Sequence, residues 1–159
     1  MGDAKMEIRV ATKNNIEDIR KLYEELFSDM RNLQPTYFQS AKQDKEFLEG
    51  IIASEKSDIL MAIDNDEVIL GFALIQEQET PPFNCLVKHQ YTYLMDLIVK
   101  RSYRGSGIGT ILINEVKKWS KNRNLEYVEL NVLPENINAI KLYEKQEFKN
   151  AMQTMRCVL

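Results

Sequence analysis

Apolar positions along the chain switch between two periods, and the switches mark out the elements. MEIRVA alternates as a strand and is closed by TKNN, after which Ile16, Ile19, Leu22, Tyr23 and Leu26 recur at helical spacing. Asn14 is the expected N-cap of that helix, with Glu17 three residues on as capping-box partner. A second helix fits DKEFLEGIIAS. The run ILMAIDNDEVILGFALIQ reads as two strands joined by the turn Asp64-Asn65-Asp66-Glu67, an antiparallel hairpin. YTYLMDLIVK is apolar on both faces, as a central strand must be. A glycine turn follows it, then a helix whose stripe is Ile108, Ile111, Leu112, Val116 and Trp119. Lys117, Lys118 and Lys121 suit the negative end of that helix. EYVELNVL alternates as a strand stopped by Pro134, NINAIKLYEKQ is a short helix, and AMQTMRCVL is a final strand.

The predicted order is therefore β-α-α-β-β-β-α-β-α-β, a mixed sheet with helices packed on it, of α/β or α+β class. The least regular stretches, 32 to 43 and 77 to 90, are expected to be surface loops. No repeat or linker interrupts the chain, and its 159 residues have the length of a single domain spanning 1–159.

Composition narrows the function classes. No apolar run approaches the ~20 residues needed to cross a bilayer, and 28% of residues are charged, so no membrane partner is expected. The start MGDAKMEIRV lacks the apolar core of a secretory signal, which makes a cytoplasmic location the expectation. A formal charge of −3 argues against general affinity for nucleic acid, which needs a basic face to displace counterions. Cys85 and Cys157 are far apart and without CxxC spacing, so neither a metal site nor a disulfide framework is expected; both read as reduced core or near-core residues. His89, the single histidine, lies in the polar stretch VKHQ with no acid or nucleophile patterned around it, and reads as a solvated loop residue.

The candidate chemistry lies in Arg104-Gly105-Ser106-Gly107-Ile108-Gly109, between a strand and a helix. Small residues leading into a helix aim several backbone N–H groups at one place and add the positive end of the helix dipole, a combination that binds phosphates. A P-loop is excluded, because Thr110 stands five residues after Gly105 and no lysine follows. The dinucleotide fingerprint fails as well, since its third glycine falls on Thr110 or Leu112. Taken alone, the turn could also be purely structural, with glycines for their backbone angles.

The remaining pattern, Arg104-x-x-Gly107-x-Gly109 after the strand LIVK, resembles the acetyl-coenzyme A pyrophosphate motif of the GNAT acyltransferases. A second block agrees with that family: VLPENINAIKLYEKQEF carries Asn136, Ala139, Leu142, Tyr143 and Phe148 in register. Glu147 departs from it, standing where the family usually has glycine before the phenylalanine. If that position needs φ > 0, a non-glycine residue there costs on the order of 1 kcal/mol, so either the turn differs or the chain tolerates strain.

The resemblance implies a GNAT-like, mostly antiparallel twisted sheet with a splayed central parallel pair, and acetyl-CoA as cosubstrate without a metal. It further implies that Leu97, Ile98 and Val99 offer backbone bonds to the pantetheine arm. Arg104, Gly105, Ser106, Gly107, Ile108, Gly109 and Thr110 would wrap the pyrophosphate, and Asn131 and Asn136 would line the far side of the gap. Tyr143 occupies the family's position for the acid that helps the thiolate leave, a role a thiol of pKa about 8.5 makes useful.

An acceptor amine must lose a proton before attack, and here the family's usual carboxylate is missing: its positions hold Met95 and Tyr93. Asp96 is the only acid in that strand, but alternation points it away from Met95 unless a bulge re-aims it. It reads more readily as a structural carboxylate hydrogen-bonded to backbone, Glu129 is a weaker base candidate, and a water chain is the expected proton path. Acceptor choice is assigned to the loops with Pro35, Tyr37 and Phe38 and with Pro82, Phe83 and Asn84.

The expected activity is transfer of acetyl from acetyl-CoA to a primary amine of a small molecule or peptide, by direct attack in a ternary complex. A non-catalytic acyl-CoA-binding or sensing domain is the alternative, motivated by the missing carboxylate. The apolar segment AMQTMRCVL adds the expectation of a homodimer.

Overall fold

The structure, a computed structural model, describes residues 5–159; the first four residues of the stretch read above for a secretory signal lie outside them. Five strands form one sheet in the order β1-β2-β3-β4-β5: Glu7–Val10, Ser57–Ile63, Ile69–Glu79, Gln90–Val99 and Val128–Glu129. Neighbours from β1 to β4 are antiparallel, and β4 pairs with β5 in parallel. The helices are α1 (Ile16–Leu33), α2 (Lys45–Ala53), α3 (Ile108–Asn122) and α4 (Ile137–Lys145). A parallel pair cannot be joined by a tight turn, and α3 is the crossover that joins this one. The mixed sheet expected from the sequence is the one observed.

Each sheet face has its own apolar layer. Ile19, Leu22 and Tyr23 of α1 and Leu48 and Ile51 of α2 pack with Ile59, Met61, Phe72, Leu74 and Ile98 of the sheet. On the other face Leu112 and Val116 of α3 cover Leu60, Ala62, Ala73, Ile75 and Leu94. The alternation of β2 and β3 is thus spent on two buried faces, and this is why both strands read as nearly continuous apolar runs.

Several local expectations need correction. The N-cap of α1 is not Asn14 with Glu17: a 3-10 turn over Lys13–Asn15 precedes the helix, and Asn15 Oδ1 accepts from the Thr12 N–H at 2.8 Å. Strand β3 runs to Glu79 and β4 starts at Gln90, so the loop is shorter than 77–90. Ile111 belongs to the exposed side of α3, where Ile113 takes the buried place expected of it. Cys85 and Cys157 are exposed rather than near the core. The segment 151–159 forms no strand, because no neighbouring backbone pairs with it. In the β2–β3 turn, Asp64 Oδ1 accepts from Asp66 and Val68 N–H at 2.9 and 3.0 Å, as an Asx turn requires.

Candidate functional site

The site begins with how little β4 and β5 share. Their pairing consists of Thr92↔Val128 and Tyr93↔Glu129, after which the two strands part and leave a gap beside the C-terminal half of β4. In an antiparallel ladder, bonded and non-bonded pairs alternate. Lys100 N–H bonds the Leu70 carbonyl at 2.8 Å, so Ile98 faces Phe72 as a bonded pair, whereas Leu97 and Val99 turn their backbone groups away from β3. That puts Leu97 and Val99 on the gap and gives Ile98's polar groups to the sheet.

At the open end of β4 the chain turns into α3. Gly105 and Gly107 have φ of +79° and +88°, conformations that only glycine adopts without strain, and neither would meet a neighbour through an added Cβ. Their requirement is therefore angular, not spatial. Gly109 differs: a Cβ there would lie 2.9 Å from Leu142 Cδ2, so this glycine lets α4 pack on the first turn of α3. Arg104 N–H bonds Arg101 and Ile111 N–H bonds Gly107, while the N–H groups from Gly105 to Thr110 meet no backbone carbonyl among the described residues. Six consecutive donors at a helix N-terminus form an anion cradle. The Ser106 hydroxyl donates to the Tyr103 carbonyl.

The cradle is braced from α1. Asp29 Oδ1 accepts from Arg101 at 2.8 Å and its Oδ2 from Arg104 at 2.7 Å; Arg104 Nε also donates to the Val99 carbonyl at 3.0 Å. Burial raises the Asp29 pKa, but the two guanidiniums outweigh it and hold the carboxyl below its ordinary value. Arg104 thus fixes the loop to α1 and to the end of β4.

Sequence alternation misplaces Asp96. Leu74 is opposite Asp96 and Ile75 opposite Leu94, so Met95 is an extra residue in β4, a bulge. Leu94 and Leu97 pack toward α3, while Met95 joins the α1 layer and Asp96 accepts a 2.6 Å hydrogen bond from the Tyr23 hydroxyl of α1. Asp96 is therefore on the same face as Met95, and its partner is a side chain rather than backbone. Burial raises the Asp96 pKa above its ordinary value against the opposing effect of the Tyr23 bond. Tyr23, fully buried, is itself pushed far above the usual phenol range, by burial first and then by the charge of Asp96.

Tyr143 lies on α4, its ring 5.7 Å from that of Phe148. Burial, followed by the charge of Asp96, pushes its pKa up to about 12, so the phenol keeps its proton at any physiological pH. Asn136 caps α4, its Oδ1 accepting from Ala139 N–H at 3.3 Å. Glu147 follows the helix with φ of +71°, so the departure from glycine is met by strain and not by a different turn. His89 is tied to Glu126, Nδ1 to Oε1 at 3.0 Å, in the loop wall.

Beside the bulge, a cleft of about 430 Å³ is lined by Gln76, Gln78, Tyr91, Tyr93, Met95, Glu129 and Asn131. Asn131 donates to the Tyr93 hydroxyl at 3.2 Å, and Tyr91 stacks on Tyr127 with centroids 4.8 Å apart. Glu129 is the one carboxylate of this lining, and no cation lines it. Among the described residues, no three His, Cys, Asp or Glu side chains are grouped as metal ligands, and no helix is long and apolar enough to cross a membrane. Sequence reading missed Tyr23 as a functional neighbour, because its helical spacing marks it only as core.

Comparison with known proteins places these features in context. Residues 18–148 match the Acetyltransferase (GNAT) family. An uncharacterized N-acetyltransferase of Methanocaldococcus jannaschii is 26% identical over 142 residues, which are 89% of this chain; the chain spans 60% of that relative's length. Among solved structures, a mutant of the BH1408 protein from Bacillus halodurans has a TM-score of 0.92 at 24% identity, covering 96% of this chain and 99% of the other. The aminoglycoside N-acetyltransferase AAC(6')-Iy in complex with CoA has a TM-score of 0.72 at 19% identity, covering 99% and 97%.

Proposed function

The chain belongs to the GNAT family of acetyltransferases, and from that premise we propose that it is one domain, residues 1–159, moving acetyl from acetyl-CoA to a primary amine of a small molecule or peptide. The observation that carries the reading is the row of free N–H donors from Gly105 to Thr110 at the mouth of the β4–β5 gap. A pyrophosphate fits this donor set: its oxygens need several N–H groups converging at a helix N-terminus, and the two positive-φ glycines hold them there. Gly105, Ser106, Gly107, Ile108, Gly109 and Thr110 bind it through backbone. Arg104 serves by bracing the loop.

Leu97 and Val99 offer the arm of the cosubstrate backbone groups along the gap, with Asn131 on the opposite side. Asn136 spends its side-chain oxygen on the cap of α4, so it supports that wall chiefly by holding the helix. Tyr143 is the proton donor to the departing thiolate. A phenol held at about 12 remains protonated, and it passes a proton to a sulfur whose own pKa is about 8.5 only as negative charge develops there.

The motive for a non-catalytic reading was the absence of a strand carboxylate. The bulge offers a carboxylate in its place by turning Asp96 to the Met95 face, where burial raises its pKa above the ordinary value. Asp96 takes the ammonium proton, directly or through water, and Tyr23 holds the carboxylate in place. The freed amine attacks the thioester carbonyl to form the C–N bond, the C–S bond breaks, Tyr143 gives its proton to the departing sulfur, and the proton that the nitrogen sheds on becoming an amide restores Tyr143 directly or through water. The acceptor enters by the cleft with Glu129, Tyr91 and Tyr93, whose single negative charge and phenol faces suit a cationic amine.

The test is a screen of diamines, amino acids, aminoglycosides and short peptides with acetyl-CoA, read by mass spectrometry of the product. N-acetylation of at least one class, lost in Tyr143→Phe, supports the reading. Tight acetyl-CoA binding with no transfer to any class overturns it in favour of a binding domain.

A further inference from the structure

The cleft beside the bulge has an inner and an outer end. Tyr91, Tyr93 and Met95 alternate onto one face of β4, Met95 packs with the α1 layer, and the bulge brings Asp96 to that face as well. The floor is laid in rows across the sheet. Gln76 stands opposite Tyr93 and Tyr93 opposite Glu129, while Gln78 stands opposite Tyr91, whose ring stacks on Tyr127. From Tyr93, the partner of Glu129, to Asp96 the strand rise gives roughly 10 Å along β4. Two carboxylates on one face are thus held apart by a short polar track.

Their surroundings differ. Asp96 is engaged by the Tyr23 hydroxyl, and Glu126, in the same wall as Glu129, spends its carboxylate on His89 and on the Gln90 N–H. Glu129 is exposed and has no ion-pair partner among the described residues. Burial first, and then the charge of Glu129, raises the phenols of Tyr91 and Tyr127 above their ordinary values, so its field reaches both rings.

The neighbouring polar groups decide which charge this end accepts. An ammonium brings three donors and no acceptor. Asn131 gives its N–H to the Tyr93 hydroxyl and Gln78 gives its own to Gln76 Oε1 at 3.3 Å, which leaves the side-chain carbonyl oxygens of Asn131 and Gln78 to accept beside Glu129. The phenol faces add attraction for a cation. A carboxylate entering here would meet no cation in the lining and would shed its water against the charge of Glu129.

We propose that the acceptor is an α,ω-diamine whose far ammonium is held by Glu129 while its near end reacts beside Asp96. The inference rests on the acetyl-transfer reading and narrows its acceptor to a molecule with two cationic ends and no carboxylate. The near nitrogen gives its extra proton to Asp96 and forms the C–N bond as the C–S bond breaks. Sulfur leaves with the proton of Tyr143, which the nitrogen replaces on becoming an amide; the far nitrogen keeps all its protons and its charge. Turned end for end, the monoacetyl product would lay an uncharged amide against Glu129, so one acetylation per molecule is the outcome.

The test is steady-state release of the CoA thiol with three matched series of equal chain length: α,ω-diamines, monoamines, and ω-amino acids, which replace the far ammonium with a carboxylate. Diamines should exceed monoamines in kcat/KM by roughly fivefold, the upper range for a partly exposed ion pair, with ω-amino acids lowest and the monoacetyl diamine as the product by mass spectrometry. Glu129→Gln should remove the preference by raising the KM for diamines, and Glu129→Lys should transfer it to ω-amino acids; both alter an exposed side chain. Turnover in which diamines have no advantage, or keep it in Glu129→Gln, overturns the proposal and leaves the acetyl-transfer reading standing. Acetyl-CoA binding without turnover of any series overturns both.

Discussion

The Tyr23 hydroxyl lies 2.6 Å from Asp96 Oδ2, so a helix side chain with no solvent exposure is hydrogen-bonded to the carboxylate that the β4 bulge turns inward. By strict alternation from Leu94, Asp96 would face the α3 layer on the side of Leu94. One inserted residue thus decides which face of the sheet receives the carboxylate of Asp96.

Because burial raises the folded pKa of Asp96, its ionisation costs stability at neutral pH. The stability linked to this group is fully present below the unfolded value of about 3.9 and is lost as pH rises through the folded value. Asp96→Asn, which still accepts from Tyr23, should melt above the wild type at neutral pH, with the gap closing below about pH 4. The same variant should lose most of kcat. A melting difference that is independent of pH would show that the carboxyl is not perturbed.

Asp29 has the opposite sign. Its folded pKa is depressed, so its contribution is present above the unfolded value and is lost as pH falls through the folded one. Asp29→Asn should cost on the order of 1 kcal/mol at neutral pH, given partly exposed arginine partners, and the deficit should shrink in acid. Paired melting curves of the two variants across pH distinguish the signs directly.

Tyr143→Phe should lower kcat by roughly 100-fold, the lower range for a positioned acid, with little change in acetyl-CoA affinity. Since its pKa is pushed up to about 12, no alkaline loss of wild-type activity below that region should trace to this phenol. An unchanged pH–rate profile and turnover in the variant would assign the proton to another group.

Two backbone variants separate strain from function. Glu147→Gly relieves a φ of +71° and should stabilise the fold by about 1 kcal/mol without altering kcat. Gly107→Ala places a side chain at φ of +88° in the cradle and should weaken acetyl-CoA binding at least as much as it destabilises the fold. Chemical denaturation and titration on the same samples check both.

Much of this was legible in the sequence, for identifiable reasons. The elements from α1 to α4 follow from apolar spacing, and the cradle from glycines whose positive φ only that residue accepts cheaply. The face of Asp96 was not legible, because a bulge depends on how β4 registers with β3, a relation between strands that single-strand alternation cannot express. The terminal segment reads as a strand from composition, yet composition does not supply a neighbour for it. Tyr23 was legible as core and not as a hydrogen-bond donor, since its partner comes from 73 residues away.

Isothermal titration of the purified chain with acetyl-CoA, with ATP as the competing phosphate ligand, tests the central claim most directly. Selective binding of acetyl-CoA, weakened by Gly107→Ala in a protein that remains folded, is the predicted result. No binding, or equal binding of both ligands, would contradict it and leave residues 104–110 as a turn that only joins β4 to α3.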